Sequence, residues 1–234
     1  MRWVVDTSGR FRWRPWLDKG EIDVLCEDRV RRFLHARHGV VAYPVSTDDL
    51  TRLIEQEVDD LDLYADLHDE TGTSVVEGMT LFVWGDRPRV RIARALYEDG
   101  RRGARLRTTL AHELGHVLLH NFVGDREDGV AIPVSDEHDT ARVASCGLTV
   151  VPGQCVDWME WQAGYACGAL LMPRTALKDV IRLVLDETGH QIPVTGAAVG
   201  RLIDRVQGHF LVSAAAAHTR LRHLGHVPSV WSQL

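Results

Sequence analysis

In the stretch RTTLAHELGHVLLH, Arg107 to His120, two histidines stand at i and i+4 with a glutamate beside the first. On a helix, His112 and His116 project from one face, about 6 Å apart along the axis. Two imidazoles at that spacing can grip one divalent ion at roughly 2 Å each. Glu113 lies one step round the helix, close enough to reach a water on such an ion without displacing it. This H-E-x-x-H spacing is the pattern of zinc-assisted hydrolysis. Histidine is common here, with 12 in the chain, so the spacing needs its context. Leu110, Ala111, Leu114, Val117, Leu118 and Leu119 supply it by making the helix apolar. A buried helix does not carry ionisable groups without partners.

His120 stands eight residues after His112, about 12 Å further along the axis, too far to converge on the same ion. Its expected part is a hydrogen bond to the site from outside. The third ligand must come from another element. Glu127, Asp128, Glu137, His138, Cys146 and Cys155 offer donors, and Glu160 is the better candidate. It is surrounded in sequence by Trp158, Met159 and Trp161, where a lone acid needs a cation. Ala163, Gly164, Cys167 and Gly168 follow on the same helix, and small residues let two helices approach closely. The alternative places Glu160 on a solvated helix face.

The elements that must position these groups read as an α+β fold. Residues 1–25, with RFRWRPW, form an N-terminal arm. A helix follows over CEDRVRRFLHARHG, with Cys26, Val30, Phe33 and Leu34 on one face and Gly39 as left-handed cap. VVAYPV is a short strand, and STDDLTRLIEQEVDDLDL opens with capping chemistry as a helix striped by Leu50, Leu53, Ile54 and Val58. Two β-rich runs flank GDRP within residues 76–93, the signature of a hairpin, with Val90 and Ile92 alternating against Arg89 and Arg91. That hairpin could offer an edge to an extended chain by strand addition, or be covered. The metal helix runs from Thr108 to about His120. Residues 121–157 lack a period and form a long loop. A buried helix over DWMEWQAGYACGALLMPR ends at Pro173, and the segment 175–234 is helical.

The chain has 234 residues, 45% hydrophobic and 26% charged, as an ordinary globular protein does. A formal net charge of -6 excludes a general nucleic-acid coating role. No apolar signal segment opens the chain and no run spans a bilayer, so the expectation is a cytoplasmic protein with no membrane partner. Four cysteines then read as thiols. Cys146, Cys155 and Cys167 with His138 could form a second metal site, but no C-x-x-C pair supports one.

LRTTLAHELGHVLLH followed by MEWQAGYACGALLMPR resembles the ImmA/IrrE family of metallo-endopeptidases. The likeness extends upstream through VEGMTLFVWGDRPRVRIA and downstream through HFLVSAAAAHTRLRHLG, from about residue 26 to 226. It implies a zincin-like metallopeptidase domain over 26–174, with His112, His116 and Glu160 as zinc ligands and Glu113 as catalytic base. It also implies cleavage of a specific cytoplasmic protein, typically a helix-turn-helix repressor or antitoxin-like regulator. Tyr97 and His218 are candidates for the extra donor that such enzymes often add. Two features depart from the family: the insertion before Glu160 is long, and Gly164 stands where Asn or Asp is frequent.

The tail, AAVGRLIDRVQGHFLVSAAAAHTRLRHLG, has helix-turn-helix spacing, with a turn near Gly208, Ser213 as N-cap and Gly225 as stop. Four alanines open its second helix and offer little to base edges. Arg201, Arg205, Arg220 and Arg222 could touch phosphates, but packing or substrate docking is the favoured reading. The rival function is a non-catalytic regulator that binds DNA or a repressor through this tail and keeps the metal only for structure.

Overall fold

A computed structural model describes residues 2–8, 11–67, 76–83, 85–121, 158–189 and 191–228, together with the backbone of 141–145. The fold is α+β, as expected. Strands β1 (Arg2–Val5) and β2 (Trp13–Trp16) pair antiparallel. The N-terminal residues are therefore a hairpin rather than an irregular arm. Asp6 holds its turn by accepting bonds from the Ser8 N–H at 3.0 Å and the Phe11 N–H at 3.0 Å.

Helix α1 (Lys19–His38) starts earlier than the sequence pattern suggested. A capping box decides the start: Asp18 accepts from the Glu21 N–H at 2.8 Å, and Glu21 accepts from the Asp18 N–H at 2.9 Å. Ile22 extends the buried stripe by one turn ahead of Cys26, Val30, Phe33 and Leu34. Gly39 ends the helix at φ 73°, where a left-handed cap favours glycine. Residues 40–45 form no strand, contrary to expectation. Pro44 has no N–H to give a ladder, and the Val45 carbonyl accepts from Arg107 instead, at 3.1 Å. Helix α2 (Thr47–Glu57) begins at Ser46, whose Oγ accepts from the Asp49 N–H at 3.0 Å. It stops short of the expected DDLDL end, because residues 60–65 pair into a sheet as a strand instead.

The expected hairpin is present as β4 (Gly78–Val83) and β5 (Arg89–Ala93), with Val90 and Ile92 fully buried. It sits within a larger sheet of order β3-β5-β4-β6, in which β3 (Asp60–Ala65) runs parallel to β5 and β6 (Ala141–Ser145) antiparallel to β4. Both outer flanks of the hairpin are thus paired, so it presents no free edge for strand addition.

A short α3 (Arg94–Tyr97) and one 3-10 turn lead into α4 (Gly103–His120), the helix that carries both histidines. Leu106, Leu110, Ala111, Leu114, Val117 and Leu119 bury most of its circumference. Against it lie β4, α2 and α5 (Trp158–Leu171). Helices α6 (Arg174–Thr188), α7 (Ala197–Phe210) and α8 (Ala214–His223) complete the chain, and one continuous core runs from Leu17 to Val227. Helix α7 continues through Gly208 to Phe210, so the turn falls at Leu211 instead. The buried Phe210 ring carries the helix onward. Arg107 from α4 then caps it, donating to the carbonyls of Phe210 at 2.8 Å and Leu211 at 2.6 Å. Ser213 and Gly225 do the capping and stopping expected of them. Among the described residues, no helix is long and apolar enough to cross a membrane.

Candidate metal centre

Helix α4 brings His112 and His116 onto one face, and α5 brings Glu160 to meet them. The two Nε2 atoms lie 3.1 Å apart. Glu160 Oε2 is 3.2 Å from His112 Nε2, and Oε1 is 3.3 Å from His116 Nε2. One ligand atom from each of the three residues lies within 4.8 Å of the others. An ion held tetrahedrally at about 2.0–2.1 Å separates its ligand atoms by roughly 3.3 Å, so the spacing of the two imidazole nitrogens matches one edge of a coordination face. Two imidazole nitrogens at this distance share at most one proton, and each also faces a carboxylate oxygen. The three residues form a group that could hold a metal ion. Two imidazoles and one carboxylate are a donor set suited to a borderline divalent cation.

The approach of α5 to α4 makes this triangle possible. A Cβ on Gly115 would lie 3.0 Å from the Ala163 carbonyl oxygen and 3.1 Å from Ala166 Cβ. The close contact is therefore glycine on α4 against two alanines on α5. Of the small residues singled out in the sequence, Ala163 serves this contact. Gly168 instead makes room for Arg220, and a Cβ on Gly164 would meet nothing within 4 Å. Burial alone would raise the Glu160 pKa, but its hydrogen bonds to His112 and His116 and the electrostatic pull of those rings outweigh it and bring the value down to about 2.

Glu113 is fully buried. Its Oε2 accepts from the Thr80 hydroxyl at 2.7 Å, whereas Oε1 has no hydrogen-bond partner among the described residues. Burial pushes its pKa up, against the opposing pull of His116, His112 and the Thr80 bond. Strand β4 shapes this pocket through its inward-facing alternation. A Cβ on Gly78 would come within 2.6 Å of Glu113 Oε1, so only glycine leaves the carboxylate where it is. Thr80 is a buried polar residue at the next inward position. Neither was named from the sequence, yet a glycine and a threonine on the buried phase of a strand are the signal that could have found them.

His120 sits outside the triangle, as its spacing required. Its Nδ1 lies 3.1 Å from His116 Nδ1, and its Nε2 lies 3.0 Å from Gln162 Oε1. Burial, then the neighbouring His116, lowers its pKa to about 3, which keeps the ring neutral. Trp158 packs edge-on against it at 5.4 Å, and Phe11 of the N-terminal hairpin packs on Trp158 at 6.1 Å. Tyr97 packs on Tyr64 at 5.2 Å and His218 lies on α8, so neither shares an element with the triangle. The alternative ligands Glu127, Asp128, Glu137, His138, Cys146 and Cys155 lie outside the described residues. Cys167 donates to the Thr108 carbonyl at 3.4 Å.

The sequence matches no protein-family model and no curated protein.

Proposed function

We propose that the chain is a zinc-dependent endopeptidase, with His112, His116 and Glu160 as ligands and Glu113 as general base. The observation that carries this reading is the convergence of His112, His116 and Glu160, with one ligand atom of each within 4.8 Å of the others, beside a buried carboxylate whose Oε1 has no hydrogen-bond partner among the described residues. When bound, zinc supplies Lewis acidity, acidifying a water and polarising a peptide carbonyl. Glu113 then has its own work. Its raised pKa suits it to accept a proton from the attacking water and return it to the departing amine. Thr80 holds Oε2 in place, which leaves Oε1 as the oxygen available for that transfer. A merely structural ion has no use for such a base.

The resemblance to the ImmA/IrrE family suggests the substrate class: a cytoplasmic helix-turn-helix repressor or antitoxin-like regulator. The tail gives the DNA-binding rival little support. Arg220 is buried against Asp23 at 2.6 Å, and Arg205 pairs with Glu187 at 2.9 Å. Two of the four arginines offered to phosphates are thus engaged within the protein.

The test is incubation of the zinc-loaded protein with candidate repressors, beside Glu113→Gln and Glu160→Ala. Glu113→Gln should bind zinc normally and lose about 10²–10⁴-fold in cleavage rate, whereas Glu160→Ala should lose the zinc. Cleavage undiminished in Glu113→Gln defeats the catalytic assignment. Salt-sensitive, sequence-specific DNA binding without cleavage favours the rival.

A further inference from the structure

We propose that Gln162 and His120 form a relay that holds His116 with its proton on Nδ1, so that Nε2 presents a bare lone pair before any metal arrives. The proposal deepens the metal-dependent reading and rests on it.

The chain of contacts is Gln162 Oε1 to His120 Nε2 at 3.0 Å, then His120 Nδ1 to His116 Nδ1 at 3.1 Å. All three side chains are buried, so protein partners rather than water must satisfy them. A carbonyl oxygen only accepts, so the proton of neutral His120 lies on Nε2 and its Nδ1 carries a lone pair. The group facing that lone pair is His116 Nδ1, which must therefore be the donor. A neutral imidazole has one N–H, and placing it on Nδ1 strips Nε2.

This order opposes a real competitor. Glu160 Oε1 lies 3.3 Å from His116 Nε2 and, without a cation between them, draws a proton onto that nitrogen. A proton there blocks coordination. The relay works against the carboxylate from the far side of the ring, where solvent has no access. His112 has no such need, since it can give its own Nε2–H to Glu160 Oε2 at 3.2 Å and surrender it on binding. Reversal of the Gln162 amide would invert every donor in the chain and leave His116 protonated on Nε2. The Gln162 orientation is therefore the switch that sets the whole sequence, and His120 and Gln162 are positioning residues rather than ligands.

The experiment reads tautomers and zinc affinity without any substrate. In the metal-free protein labelled with ¹⁵N, long-range ¹H–¹⁵N correlation should show His116 as the Nδ1–H form. His120→Leu should move it toward Nε2–H and weaken zinc binding, in competition with a chelator, by about 10- to 100-fold. His120→Asn retains a carbonyl acceptor toward His116 and should restore affinity to within a few-fold of the parent. An Nε2–H form of His116 in the metal-free parent overturns the relay, and so does a folded His120→Leu that holds zinc as tightly as the parent. Should His120→Leu not fold, the parent spectrum decides alone. A parent that takes up no zinc defeats the metal-dependent reading instead, while its tautomer spectrum still decides the relay.

Discussion

Helix α5 contributes to two polar clusters on different faces, one buried and one half-buried, and they are built on different principles. On one face, Tyr165 joins Asp23 of α1 and Arg220 of α8. Arg220 Nη2 donates to Asp23 Oδ1 at 2.6 Å, Arg220 Nε donates to the Met172 carbonyl at 3.2 Å, and the Tyr165 hydroxyl donates to Asp23 Oδ2 at 3.1 Å. The guanidinium also lies over the Tyr165 ring, 5.3 Å from its centroid. Positive and negative charge balance within this cluster. On the other face, Glu160 meets His112 and His116, and the atoms that converge are all potential acceptors toward one point. Among the described residues, Glu113 Oε1 beside it has no hydrogen-bond partner. A cluster whose charges are matched ties three helices together, although Arg220 Nη1 has no hydrogen-bond partner among the described residues. One whose donors converge from two helices forms a group that could hold a metal ion.

Truncating each cluster should break this comparison most sharply. Asp23→Ala strands a buried guanidinium and should cost about 3–5 kcal/mol in denaturant unfolding. His112→Ala in the metal-free protein should cost less than about 1 kcal/mol, since its ion pair is partly solvated, while abolishing zinc-induced stabilisation. Equal losses at both sites would erase the distinction. The next effect is acid sensitivity. His120 titrates near 6.5 when unfolded and about 3 when folded, so the stability it contributes is complete above pH 6.5 and drains away as pH falls toward 3. Burial lowers His223 and His226 too, with the same sign. Unfolding midpoints of the metal-free protein should therefore fall through that window, and His120→Asn should flatten the slope. Gly78→Ala should cost about 1–3 kcal/mol by overpacking against Glu113, and should lower cleavage while leaving zinc affinity intact. Smallest of all, Gly164→Ala should stabilise by about 0.5–1 kcal/mol, since the new methyl enters open space on a helix.

Periodicity and capping made several elements legible without coordinates. The stripe of α1 with its Gly39 stop, the Ser46 and Ser213 caps, the β4–β5 pair and the end of α5 before Pro173 are all local chemistry. The misreadings came where local patterns are mute. VVAYPV looks like a strand until the sheet finds its partners elsewhere. Gly208 looks like a turn, yet Phe210 is buried and its carbonyl is taken by Arg107 on α4, 103 residues away in the chain. The N-terminal hairpin carries an ordinary turn signal in Asp6, Ser8 and Gly9, but its strands are only four residues each and rich in Arg and Trp, so they read as an arm.

What the linear order of residues determined is the pair of histidines on one helical face, the adjacent Glu113, the exclusion of His120 from the ligand set by its rise along the axis, and the candidacy of Glu160. Each follows from helix geometry or from the cost of an unpaired buried acid. Tertiary structure alone decided which acid meets the imidazoles, because that depends on Gly115 letting α5 come within contact of the α4 backbone. It also decided that Thr80 and Gly78 shape the pocket of Glu113 and that Gln162 stands behind His120. Those partners lie far apart in the chain, and no local period encodes a contact between them.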